Sequence, residues 1–239
     1  MARVMISGEW RPFAEALAIL NHPGHDQKSH GRKGGGPGSG RDLIGSREEA
    51  EALASKVLEA SDYSQYGPHG DEIMYHIMRE QGFDAPATAV PKGQMDAIQA
   101  EHEGLYRGVR ASRDGSKTPD QIHDEMVSGD AYAGRGVAGN GTYMTSRVGE
   151  AGEYGTARAY ALHREARVGD HDAIRAEQKT FLAQFGRDST AYGVWSDTGR
   201  YAAAKGYDAL AWDFTSMDGT AGRRVIVLNR GSVFVEEGP

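Results

Sequence analysis

The sequence contains no cysteine among its 239 residues. Disulfides and thiolate metal sites are therefore excluded, and the redox compartment is not legible from it. No apolar run approaches the ~20 residues that a membrane span needs, so no membrane partner is expected. The first residues include Glu9 and Arg11 and no long apolar stretch, so no secretory leader is expected. Positive charge is in deficit: 27 Lys and Arg stand against 34 Asp and Glu, a net charge of −7. A general nucleic-acid binder carries a basic face, and this balance argues against one. Aromatic residues are few, at 8%, and apolar residues make up 38%. That suffices for one good-sized domain with an extension, or for two small domains, with much surface and loop. No internal repeat is present. Glycine is abundant at 33 residues, against a usual share of about 7%. Part of the excess lies in one tract; the rest marks turns.

That tract ends the segment NHPGHDQKSHGRKGGGPGSGR, residues 21–41. It is polar and closes in Gly, Ser and Pro, a composition that buries no core and reads as a flexible, poorly packed tether. It divides the chain into an N-terminal extension with a basic, Gly-rich linker, residues 1–43, and a folded domain, residues 44–239. Ahead of it, VMISGEW reads as a short strand, and Phe13, Leu17 and Leu20 have helical spacing. His22, His25 and His30 are close in sequence, but no carboxylate cluster completes a metal shell, so solvated histidines are the reading retained and no metal is expected. Lys28, Arg32 and Lys33 leave open a contact with an acidic partner or nucleic acid.

The folded part opens with Ser46 and Glu49, a capping box for a helix running to about Ala60. A second helix is expected from about Asp71 to Gln81, stopped by Gly82, and a third over MDAIQAEHEG. EGLYRGVRA reads as a strand with Leu105, Arg107 and Val109 on one face. Thr118 and Pro119 start another helix, ending by Gly129. Residues 148–160 are read as an Ala-rich helix followed by a strand. Ile174, Phe181 and Leu182 mark an exposed helix, and Asp197 caps a short one stopped by Gly206. DALAWDF and VIVLNRGSVFV are apolar enough to be buried strands.

Chemistry concentrates in VAGNGTYMTS, residues 137–146. Glycine there lets the backbone approach a ligand, and Thr142, Tyr143 and Thr145 favour a strand after the turn. A Tyr leaving such a turn can lay its ring on a planar ligand, although a plain hairpin has the same pattern. Arg107 has two readings: an edge arginine that snorkels, or a fork in a cleft that binds phosphate or ribose oxygens. With Tyr143 nearby in the motif order, the cleft reading is favoured.

LYRGV, then GNGTYMTS, then the two apolar strands together resemble an ADP-ribosyltransferase over roughly Leu105 to Val235. Tyr106-Arg107-Gly108 resembles the arginine-first motif of the toxin branch. Gly139-Asn140-Gly141-Thr142-Tyr143 resembles the Gly-x-Gly-x-Tyr motif of the poly(ADP-ribose) polymerase branch, with Tyr154 at the position of that branch's second tyrosine. The GRYAAAKGYDAL and LNRGSV blocks resemble such domains attached to phage head proteins, and HPGHDQKSHGRKGG resembles segments of phage head-associated proteins. The resemblance implies an α+β split β-sandwich with an NAD cleft and a helical N-terminal layer. It implies NAD as substrate, Arg107 and Tyr143 as catalytic residues, and Arg107, Gly108, Gly141, Tyr143, Thr145, Ser146 and Tyr154 as the NAD-binding set. Tyr143 and Tyr154 would stack on the nicotinamide and ribose, Gly108 would hold the carboxamide, and Thr145 and Ser146 would brace the first motif. It further implies transfer of one ADP-ribose to a host protein, nicotinamide release, a contact with phage head proteins through the N-terminal segment, and a place in the virion or the bacterial cytoplasm. The family's third-strand Glu is missing: Arg223, Arg224 and Val225 stand there. Asp213 or Glu150 could replace it, or the domain could be a degenerate, non-catalytic virion or binding component. If stacking is all that Tyr143 does, Tyr143→Phe should be mild and Tyr143→Ala severe.

Overall fold

The computed structural model describes residues 3–6, 9–12, 35–61, 71–91, 93–112, 115–129, 133–216 and 218–237. An N-terminal hairpin pairs β1 (Arg3–Ile6) with β2 (Glu9–Pro12). The helix read at residues 13–20, the three linker histidines and the three linker basic residues lie outside the described residues. Then follow α1 (Arg47–Ala60), α2 (Glu72–Gln81), β3 (Thr88–Val90), α3 (Met95–Glu101), β4 (Glu103–Val109) and α4 (Pro119–Ser128). The second half runs β5 (Thr142–Thr145), α5 (Val148–Glu153), β6 (Thr156–Leu162), β7 (Val168–Asp170), α6 (His171–Leu182), α7 (Thr190–Trp195), α8 (Thr198–Ala204), β8 (Ala209–Thr215), β9 (Ala221–Val227) and β10 (Val233–Glu236). The domain is α+β.

The helix boundaries follow local chemistry. Ser46 and Glu49 form both bonds of a capping box on α1, and Thr118 and Gln121 do the same on α4 behind Pro119. Asp71 caps α2 by accepting from the Met74 amide at 3.1 Å. One expectation fails here. The Ala-rich stretch after Val148 is helical only to Glu153, because residues 156–162 pair with all of β4, from Glu103↔Leu162 to Val109↔Thr156. Tertiary pairing overrides alanine's helix preference.

β3 to β10 form one mixed sheet in the order β3-β10-β6-β4-β5-β9-β8-β7, parallel only at β3–β10 and β7–β8. A doubly wound parallel sheet is thereby ruled out. The sheet is nearly divided in the middle. β4 and β5 share a single pair, Tyr106↔Thr145, whereas β4 pairs with β6, and β5 with β9, along their lengths. Two four-stranded halves meet at one point, and a gap opens beside Arg107–Val109, which have no partner on the β5 side.

Strand alternation assigns the faces. Leu105, Tyr160, Leu162, Val233 and Val235 enter the main core, together with α1, α2 and Met126 of α4. On the opposite face, Ala161 and Phe234 form a second cluster with Met95 and Ile98 of α3. The expected helical N-terminal layer is therefore split: α1 and α2 join the main core and α3 covers the other side.

The tether expectation also needs correction for residues 35–41. Gly35 N donates to Gly82 O, Gly38 N to Asp208 Oδ2 at 2.7 Å, and Arg41 N to Gln81 Oε1 at 3.1 Å. Gly40 lies against the Gly206 backbone, where a Cβ would overlap it. Small residues let this strip dock by its backbone, so it packs without contributing apolar side chains. At the other end, Asn229, fully buried, donates to Asp208 Oδ1 at 2.7 Å, and Arg230 binds the Ala85 carbonyl. The LNRGSV block thus secures the crossing from β9 to β10 in the other half-sheet.

Candidate functional site

The gap between β4 and β5 is bordered by a corner built from three elements. Gly108 and Tyr106 share a face of β4, and their face is that of Thr145 and Tyr143 on β5, because Tyr106 pairs with Thr145. α5 packs over this corner. A Cβ on Gly108 would overlap the Ala151 carbonyl oxygen and lie 2.8 Å from Tyr154 Cβ. Only glycine allows that approach. Tyr154 ends α5 and remains 53% exposed, an aromatic ring presented beside Gly108.

Tyr143 is half-buried under the loop 134–141. Its hydroxyl donates to Gly139 O at 2.7 Å and accepts from Ala138 N at 3.0 Å. The ring lies against Gly136, where a Cβ would overlap it. Burial pushes its hydroxyl pKa up, and the nearby Asp197 charge pushes it the same way. The loop is closed at its base by reciprocal bonds between Gly134 and Gly141. Gly141, at φ 147, packs on Ile226 and Val227 of β9, so it shapes the turn.

Asn140 locks the turn from behind. Its side chain donates to Asp71 Oδ2 at 2.5 Å and accepts from Gly136 N at 3.1 Å, and its backbone N donates to Asp197. Asp71 is 3% exposed and is held by Arg200 through Nε at 2.7 Å and Nη2 at 2.9 Å. Asp197 caps α8 and its pKa is raised by burial. An open cavity of about 590 Å³ lies on this side, lined by Leu58, Ile73 and Val194 with Arg135, Asn140 and Arg200.

Thr145 and Ser146 have different partners. Thr145 Oγ1 donates to Glu150 Oε2 at 2.5 Å, and Glu150 Oε1 also accepts from Arg224 Nε at 2.8 Å. Ser146 Oγ accepts from Arg223 N at 2.9 Å, so it braces β9 and not the first motif. Arg224 pairs with Thr145 in register and its guanidinium lies 4.3 Å from the Phe214 ring centroid.

Gly108, Tyr143, Thr145 and Tyr154 are thus brought to one corner, with Gly141 at the base of the turn. Arg107 is not. It shares the face of Leu105 and Val109, opposite to Tyr143, and is cross-strand from Arg158. There its positive charge lowers the Tyr160 hydroxyl pKa against the larger upward push of burial, and its Nη1 is buried without a hydrogen-bond partner. The Tyr160 hydroxyl is hydrogen-bonded to His123 Nδ1 at 2.9 Å, and burial, then the Arg158 charge, lowers the pKa of that histidine. Sequence reasoning missed Asp71, Asn140 and Arg200, whose contacts span 69 and 129 residues. The Asn inside the Gly-x-Gly turn was the available signal. Among the described residues no group of three or more metal-ligating side chains occurs, and no helix is long and apolar enough to cross a membrane. Comparison with family models, curated proteins and solved structures finds no match for this chain.

Proposed function

We propose that this chain is an NAD-dependent mono-ADP-ribosyltransferase, with the split β-sandwich of that family. It transfers ADP-ribose from NAD to an acceptor and releases nicotinamide. The observation that carries the reading is the gap between β4 and β5, bordered by Gly108, Tyr143 and Tyr154. A flat amide-bearing ring needs a close backbone and aromatic faces, and this corner supplies both. Gly108 offers backbone polar groups where a side chain has no room. Tyr154 offers an exposed ring face. Tyr143 holds loop 134–141 with its hydroxyl. The bond between nicotinamide and ribose breaks through an oxocarbenium-like transition state, so holding and orienting NAD supplies much of the catalysis. Host proteins as acceptors, and phage head proteins as partners of the N-terminal segment, extend the same proposal.

A second reading is favoured by two observations: Arg107 faces away from Tyr143, and Arg224 stands where the resemblance expects a carboxylate. It makes the chain a transferase-like fold that binds without turnover. Incubation with NAD labelled in the adenine moiety, with and without bacterial lysate, separates the two. Nicotinamide release with label on a lysate component supports the enzyme. Saturable NAD binding with no release supports the second reading, and absence of binding removes both.

A further inference from the structure

Glu150 is the carboxylate that the fold sets beside the corner. Its side chain is 12% exposed. It is gripped from two strands: Thr145 of β5 donates its hydroxyl at 2.5 Å, and Arg224 of β9 approaches with Nε at 2.8 Å and Nη2 at 2.6 Å. Tyr154 follows four residues later on the same side of α5, and Ala151 lies over Gly108. Asp213 is placed differently. It is exposed and pairs in register with Arg223, on the sheet face away from Tyr143.

We infer that Glu150 faces the reacting ribose and stabilises the positive charge that forms there, with Thr145 and Arg224 as its positioning residues; this rests on the transferase reading. In the reaction the electron pair of the C1′–N bond stays with the nicotinamide nitrogen, which leaves neutral. The positive charge it carried passes to the ribose carbon and ring oxygen. A lone pair of the acceptor then forms the new bond at C1′, and the acceptor's proton passes to water. A fixed carboxylate beside the ribose interacts more strongly with the transition state than with ground-state NAD, where the charge is on the pyridinium ring. Its three bonds hold it in place before the reaction, so little reorganisation is needed.

The test measures nicotinamide release and NAD binding by wild type, Glu150→Gln and Glu150→Asp. Glu150→Gln should lower kcat by about 10²-fold, as removal of an electrostatic stabiliser does, with KM and the NAD Kd changed less than about threefold. Glu150→Asp restores the charge and should recover part of the rate. Should Glu150→Gln fail to fold, Thr145→Val, which frees Glu150 on one side, should lower kcat about tenfold at unchanged NAD affinity. A wild type that releases nicotinamide alongside an equally active Glu150→Gln overturns this inference alone. A loss confined to NAD affinity also overturns it. A wild type that binds NAD and releases none overturns this inference and the enzyme reading together.

Discussion

Removing one oxygen from Tyr143 separates a ring that only stacks from a ring that also holds its loop. Tyr143→Phe keeps the ring against Gly136 and deletes a bond to Gly139 O at 2.7 Å and one from Ala138 N at 3.0 Å. Each intramolecular hydrogen bond contributes about 0.5–1.5 kcal/mol net. The freed backbone groups flank Val137, which is fully exposed, so water can replace part of the loss. A cost of about 1–2 kcal/mol follows. For a domain of this size that is roughly a 2–8 °C drop in Tm. Tyr143→Ala also loses the ring and should cost about 3–4 kcal/mol. Urea denaturation with an unchanged m-value gives the stability change, and hydrogen exchange at the Ala138 amide reads the loop directly. Tyr143→Phe should speed that exchange. A Phe variant as stable as wild type, with Ala138 exchanging at the wild-type rate, would refute the loop-holding role and restore the stacking-only expectation.

Three further outcomes follow from the geometry. Arg200→Met strands the buried Asp71 carboxylate and should cost about 3–5 kcal/mol in denaturation, while the double variant with Asp71→Asn costs less than the sum. Gly108→Ala meets the Ala151 carbonyl, a backbone atom, and should destabilise by about 1–3 kcal/mol, whereas Gly149→Ala, with open space around it, should be neutral or stabilising. Burial, then the neighbouring His163 and Arg164, lowers the His102 pKa to about 4. The unfolded chain therefore binds a proton that the fold refuses, and stability is lost as pH falls from about 6.5 towards 4, by at most about 3 kcal/mol. Burial raises Asp197 and Asp208 and gives the opposite slope, so the measurement is the difference between wild type and His102→Gln across that window.

The helix starts were legible because caps are local: Ser46 with Glu49, Asp71, Thr118 with Pro119 and Asp197 announce themselves within four residues. The alternation of Leu105, Arg107 and Val109 was also legible, but not which face the corner occupies. That depends on the pairing Tyr106↔Thr145, a contact between residues 39 apart that nothing local encodes. Strand β6 was hidden by its alanines, and docking of residues 35–41 by their glycines, since both rely on distant backbone partners. Glu150 stood out in the sequence only as one of two possible carboxylates. Its bonds to Thr145 and Arg224 come from the fold.

The central claim is that the gap between β4 and β5 binds the nicotinamide end of NAD. Its most direct measurement is a titration of the protein with NAD, followed through its backbone amide resonances. Saturable shifts centred on Gly108, Thr145, Ala151 and Tyr154 are expected, reproduced in part by nicotinamide alone and weakened by Tyr154→Ala. Shifts that leave these amides unmoved and gather instead around Arg135, Val194 and Arg200 at the cavity behind Asn140, or no saturable shifts, would contradict it.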